Sequence, residues 1–201
     1  MKNRSKNLFT IRNMTKIAIL TAISAIIMLF EFPLPFAPSF YELDLSEAVI
    51  LMGGFAMGPL SAAIMELLKN LLNLCINGTI TAGVGELANF VMGCALVVPA
   101  SLIYKYKKSF KGALIALSTG IVSLVIIGCF VNYYIMIPAY VKLASFPLEA
   151  ILSMAKEANS MAGTLETMII FAVAPFNFIK GVACAVINLL LYKRLSKILH
   201  I

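Results

Sequence analysis

Four apolar runs, at about Met14 to Glu31, Val84 to Tyr104, Ala113 to Pro138 and Met168 to Tyr192, constrain this chain more than any other feature. Each is close to the roughly 20 residues that cross a bilayer as a helix. Inside lipid every backbone N–H and C=O must find its partner within the chain, so such runs predict membrane helices and an all-α fold. Composition agrees, with 61% hydrophobic and 12% charged residues. No polar stretch is long enough for a separate soluble domain. The organisation expected is a single transmembrane domain over residues 14–193, between a basic tail at 1–13 and a second tail at 194–201.

The stretch from Ala48 to Ile76 is ambiguous. It reads either as one tilted span or as two short ones broken at Gly58-Pro59, because proline ends helices and disfavours helical backbone in the residue before it. Charge decides between them. Twelve of the sixteen lysines and arginines fall in three groups: Lys2, Arg4, Lys6, Arg12 and Lys16; Lys105, Lys107, Lys108 and Lys111; Lys193, Arg194 and Lys197. Short cytoplasmic loops carry such excess, and all three groups share a side only if Ala48 to Ile76 crosses twice. Six spans with both termini cytoplasmic are therefore expected. The basic start followed by an apolar run also fits a cleaved signal, but the long charged lead without an AxA-like site favours a retained first span.

Within this topology the intramembrane polar residues gather toward the outer face: Glu66, Lys69, Asn70 and Asn73, then Glu86 and Asn89, then Asn132, Asn177 and Lys180, with Asn188 the inner exception. A lysine at depth costs roughly 2.5–3.5 kcal/mol on insertion scales, so Lys180 needs compensation. Its own helix supplies no acid within a turn. The partner must come from another span, such as Glu86, or from a ligand. Glu66 and Lys69 are spaced to pair on one helix face. Polar side chains also simply tie membrane helices together, at about 0.6 kcal/mol each. The clustering instead suggests an outward-facing cavity. Asparagine donates and accepts while lysine only donates, a set suited to a neutral planar edge of alternating carbonyl and N–H groups. Phe40, Tyr41, Phe90, Tyr133, Tyr134 and Phe176 offer faces for a ring, unless they are interfacial belt residues.

The proline-rich run EFPLPFAPSFYELDLSE reads as a stiff loop folded over the protein, either a lid or a packed connector. In PLEAILSMAKEA, Leu148, Ile151, Leu152 and Ala155 recur at helical spacing and predict a short interfacial helix. Cys75, Cys94, Cys129 and Cys184 stand singly and read as small buried hydrophobes. Phosphate-loop, dinucleotide and HExxH patterns are absent, so no ATPase, nucleotide enzyme or metalloprotease is indicated, and no nucleic-acid partner is expected.

Taken in order, EFPLPFAPSFYELDLSE, GGFAMGPLSAAIMELLKNLL, GTITAGVGELANF and APFNFIKG resemble the riboflavin-specific substrate-binding components of energy-coupling-factor (ECF) transporters, the RibU family, from Thr15 to Tyr192. The resemblance implies a six-helix prokaryotic plasma-membrane protein that captures riboflavin from outside with high affinity. A separate transmembrane coupling subunit and two ATPase subunits would complete the importer, leaving this chain without catalytic residues, metal or cofactor apart from the transported ligand. It further implies an isoalloxazine ring against Asn132, Asn177 and Lys180. Leu43, Asp44 and Leu45, with Gly83 and Glu86, would close around the remainder. Ala18, Ala22 and Ala25 on the first helix would meet the coupling subunit, and small residues there permit close helix approach. Two alternatives are a substrate-binding component for another vitamin and a proton-coupled secondary transporter using Glu66 or Glu86.

Overall fold

The computed structural model describes residues 10–79 and 81–199, with side chains described as far as Leu191. Lys2, Arg4, Lys6 and His200, and the side chains of Lys193, Arg194 and Lys197, lie outside the described residues. The N-terminal tail expected at 1–13 is thus described only from residue 10.

Helix α1 is Ile11–Met28, and Thr10 caps it by accepting from the Asn13 N–H at 3.4 Å. The loop that follows contains a two-residue antiparallel pair, β1 (Phe32–Pro33) and β2 (Glu42–Leu43). Next come α2 (Glu47–Met57) and α3 (Pro59–Asn77), separated by Gly58 at φ +99°. That left-handed backbone suits glycine, and Pro59 then starts α3 where its missing N–H is harmless. The break expected at Gly58-Pro59 is therefore present.

Helices α4 (Val84–Tyr106) and α5 (Phe110–Val131) form the next hairpin, with Ser109 capping α5 through the Gly112 N–H at 3.0 Å. A π turn, Asn132–Met136, carries α5 into α6 (Ile137–Leu143). The short helix expected in the second outer loop is α7 (Leu148–Ala158); Ile151 and Ala155 are buried, whereas Leu148 is exposed. Then α8 (Leu165–Met168) and a second π turn, Ile169–Val173, lead into α9 (Ala174–Leu199). A proline follows each π turn, Pro138 and Pro175. Proline clashes with the carbonyl four residues back and cannot bond to it, which favours widening there. For Pro175 that carbonyl belongs to Phe171, and it accepts from Asn159 Nδ2 at 3.1 Å.

Among the described residues, five helices are long and apolar enough to cross a membrane: Ile11–Met28, Pro59–Asn77, Val84–Tyr106, Phe110–Leu143 and Leu165–Leu191. The sixth expected crossing falls on α2, which has only 11 residues, about 16 Å at 1.5 Å per residue, against a roughly 30 Å hydrocarbon core. It is enclosed almost all round, with Ile50 and Leu51 inaccessible, and packs against α1, α3, α4 and α9. The main core joins Leu51, Met65, Leu96, Tyr104 and Leu124, and the Phe55 and Tyr104 rings stack at 4.1 Å. A second cluster, around Met136, Ile151, Met168 and Val173, holds α7 against the two π turns.

Two expectations require correction. Ala18 and Ala22 are exposed on α1, but Ala25, at the edge of the adjoining inward face, is buried with Ile17, Thr21 and Met28. The exposed stripe steps by four, from Ala18 to Ala22 to Ile26, and Ala25 falls outside it. Among the cysteines, Cys184 is buried, Cys94 and Cys129 are half-buried, and Cys75 is exposed. Cys75 lies on the outward side of α3, where Leu71, Leu72 and Ile76 are also exposed.

Candidate functional site

A cavity of about 610 Å³ lies where the β1–β2 loop crosses the ends of α3, α4, α6 and α9. Pockets for ligands of drug size span roughly 300–1,000 Å³. Its walls include Phe40 and Tyr41 from the loop, Asn73 and Asn77 from α3, Glu86, Asn89 and Met92 from α4, and Asn132, Phe176, Asn177 and Lys180. Most of the polar residues grouped by the sequence argument thus share one space. Phe40, Tyr41 and Phe176 are also the aromatic residues expected to face a ring; Phe90, Tyr133 and Tyr134 are not among its walls. Tyr134 points outward and is 61% exposed, while the Tyr133 hydroxyl donates to Glu166 at 3.3 Å.

The π turn at Asn132 and the start of α9 build the polar wall. Asn132 Nδ2 donates to the Gly128 carbonyl at 2.8 Å and Asn177 Nδ2 to the Val173 carbonyl at 3.0 Å. Each amide is thereby oriented by its own helix. Gly128 makes room for Asn177, since a Cβ there would sit 2.6 Å from Asn177 Nδ2. The loop closes on this wall: the Tyr41 hydroxyl donates to Asn132 Oδ1 at 2.7 Å, and the Tyr41 and Phe176 rings lie 5.5 Å apart.

Lys180 is buried and bonds Asp44 Oδ2 at 2.9 Å and Glu47 Oε1 at 3.2 Å. The suggested partner Glu86 is not the one; its carboxylate accepts from the Thr79 and Thr81 hydroxyls at 3.2 and 3.4 Å, at the other end of the cavity. The physical reason is the loop's return path. Asp44 leaves β2 inward and Glu47 opens α2, so both carboxylates reach α9 at depth. Glu47 Oε1 also takes Lys69 at 3.1 Å, and Lys69 pairs with Glu66 at 2.6 Å and donates to Ser46 Oγ at 3.0 Å. The pairing expected for Glu66 and Lys69 is present. Ser46 in turn donates N–H to Asp44 at 2.9 Å and also bonds it through its hydroxyl. Three carboxylates and two ammoniums therefore form one buried cluster behind the cavity wall, spanning loop, α2, α3 and α9.

Burial opposes ionisation of Asp44, but Lys180 and Lys69 beside it, with the Ser46 hydrogen bonds, hold its carboxyl well below the usual range. Glu31, on the loop side of the cavity, is pushed up to about 7 by burial and then by the neighbouring Glu42 and Asp44. Leu43 is buried against Ala37 and Phe176, with Leu45 packed beside it, so both hold the loop rather than line the cavity. Gly83 stands at φ +85° just before α4 and donates to Thr79 Oγ1 at 3.0 Å. Glu47 was missed in the sequence: its place in SEAVILM looks like an N-terminal helix acid, and only its distance to Lys180 discloses the pairing.

Fold and cavity together define a multi-pass membrane protein with a roofed site for a small organic ligand. The ECF transporter, substrate-specific component family model matches residues 12–192, and the chain belongs to that family. It is 32% identical to the riboflavin transporter RibU of Staphylococcus aureus (strain TCH60), over 98% of this chain and 96% of the relative. Identity to the riboflavin transporter FmnP of Bacillus subtilis (strain 168) is 27%, over 92% and 93%. A solved S component of a bacterial ECF transporter superposes with a TM-score of 0.72 at 30% identity, covering 94% of this chain and 97% of that one. The family comprises transport components rather than enzymes, and its bacterial members place this chain among multi-pass plasma-membrane proteins of prokaryotes.

Proposed function

We propose that this chain binds riboflavin from the exterior and hands it inward as the substrate-binding component of an ECF importer. The observation that carries the reading is the cavity itself. Asn132, Asn177 and Lys180 stand along one wall, Phe40 and Tyr41 close it from the loop, and its size suits a ring with a side chain. Curated relatives matched over nearly their whole length are named as riboflavin transporters.

The isoalloxazine ring lies against Asn132, Asn177 and Lys180, whose donors and acceptor read its carbonyl and N–H edge. The segment Leu43, Asp44 and Leu45 positions the roof, while Gly83 and Glu86 border the polyol end. The chain crosses six times with both termini cytoplasmic, the short α2 completing its crossing together with the loop before it. Ala18 and Ala22 present a small-residue face to a transmembrane coupling subunit, which works with two ATPase subunits. The absorption spectrum of the purified protein tests the ligand. Bound or bindable flavin is expected; tight binding of a different vitamin with no flavin overturns the assignment.

A further inference from the structure

We infer that the buried ionic cluster is a proton-binding site: Glu66 is a neutral carboxylic acid whose Oε2–H donates to Asn70 Oδ1, and its proton completes the charge balance. Within the cluster Asp44, Glu47 and Glu66 face only two ammoniums, Lys69 and Lys180, and all five side chains are at most 4% exposed. The packed neighbours among the described residues bring no further cation. The buried side chains of α1 are uncharged, Gly93 of α4 leaves room for the Glu66 carboxyl, and the nearby Cys94 and Cys184 thiols are neutral near pH 7. An unbalanced carboxylate at such depth takes up a proton rather than stay charged.

Which acid holds it follows from the donors. Asp44 takes Lys180 on Oδ2 at 2.9 Å and both Ser46 donors on Oδ1. Glu47 Oε1 takes two ammoniums, at 3.1 and 3.2 Å. Glu66 has one ammonium, on Oε1, and its Oε2 has no partner among the described residues. Asn70, one turn further along α3, is the complement. Its Nδ2 donates to the Glu66 backbone carbonyl at 2.8 Å and to Oε1 at 3.3 Å, which sets the amide against the carboxyl and leaves Oδ1 buried without a donor. An amide oxygen and a carboxylate oxygen cannot satisfy each other, since both only accept. A proton on Glu66 Oε2 satisfies both at once, while Oε1 still accepts from the Lys69 ammonium as a carbonyl oxygen. Glu47 Oε2 is also without a partner, but two ammoniums already claim that carboxylate.

Difference infrared spectroscopy on the full chain in lipid vesicles near neutral pH tests this, in a Glu31→Gln background that removes a loop carboxyl holding its proton up to about 7. A protonated-carboxyl carbonyl band is expected, shifted by deuterium oxide and lost in Glu66→Gln. It should also vanish in Asp44→Asn, because with one acid fewer Glu66 must ionise to balance the two lysines. Glutamine keeps the shape and the donor of the neutral acid. Glu66→Gln should therefore unfold within about 3 °C of the parent, whereas Glu47→Gln, which breaks two ion pairs, should fall by at least about 6 °C. Absence of the band, its survival in Glu66→Gln or in Asp44→Asn, or equal loss of stability in Glu66→Gln and Glu47→Gln overturns the inference. An unfolding temperature that rises with sodium in a protein without the band assigns the site to a metal cation and overturns it as well. None of these readouts uses the ligand, so the flavin reading is tested separately.

Discussion

Lys180 carries two duties, and substitution separates them. In Lys180→Met the ammonium leaves Asp44 and Glu47 behind in a buried site. Glu47 keeps Lys69 at 3.1 Å and Asp44 keeps the Ser46 N–H at 2.9 Å, so neither carboxylate is abandoned. Breaking a buried pair by removing one partner costs roughly 3–5 kcal/mol, and these remaining contacts put the loss near the lower end, about 3 kcal/mol. For a chain of this size that is roughly 6–12 °C in unfolding temperature. Adding Asp44→Asn removes the negative charge that Lys180 had balanced, so the double variant is expected to recover about half of the loss. Flavin affinity should stay low in both, since the ammonium proposed to face the ring is missing from each. Thermal unfolding in detergent, followed by near-ultraviolet circular dichroism with and without riboflavin, measures both effects. A single variant as stable as the parent, or a double variant no better than the single, refutes the ion-cluster reasoning.

Asn177→Ala is the cleaner probe of recognition: its amide bonds only its own helix among the described contacts, so stability should change by less than about 1.5 kcal/mol while riboflavin affinity falls by about tenfold or more, as titration will show. Gly128→Ala pushes on the same amide and should weaken binding in the same direction. Glu31 holds its proton up to about 7 in the folded state, whereas the free side chain titrates near 4.5. Its folded value is raised, so its contribution is lost as pH climbs from 4.5 to about 7, and unfolding temperature should decline across that window less steeply in Glu31→Gln. Asp44 has the opposite sign, and its contribution is lost only in more acidic solution, which keeps the two separable. On α1, Ala22→Leu should impair assembly with the coupling subunit without unfolding the chain, and Ala25→Leu should destabilise the chain itself; copurification and unfolding temperature distinguish them.

The long helices were legible because lipid imposes a length and forbids unpaired backbone, and the Gly58-Pro59 break because both residues have strict backbone preferences. Asn132, Asn177 and Lys180 were legible through their cost in an apolar run. The partner of Lys180 was not, since it depends on where the 18-residue connection from Leu29 to Ser46 returns, and helical periodicity says nothing about a connection without a period. Glu47 escaped for a related reason, having the sequence context of an ordinary helix start. Ala25 was misplaced because it stands seven residues from Ala18, nearly in line with it, at the boundary where the exposed face of α1 gives way to the buried one.

The buried ionic cluster has a consequence for how the chain assembles. Apolar side chains in lipid gain little from one longitudinal alignment over another, so helices of leucine and isoleucine can slide along each other at small penalty. A slip of one turn, about 5.4 Å, would pull Lys69 off Glu47, or Lys180 off Asp44 and Glu47, while leaving the Glu66–Lys69 pair within α3 intact. The cluster is thus a register key: α3 must stand at the correct height against α2, and α9, made last, must meet the pocket of charge the earlier segments leave open. Partial assemblies carry a standing electrostatic fault, and the last long helix removes it.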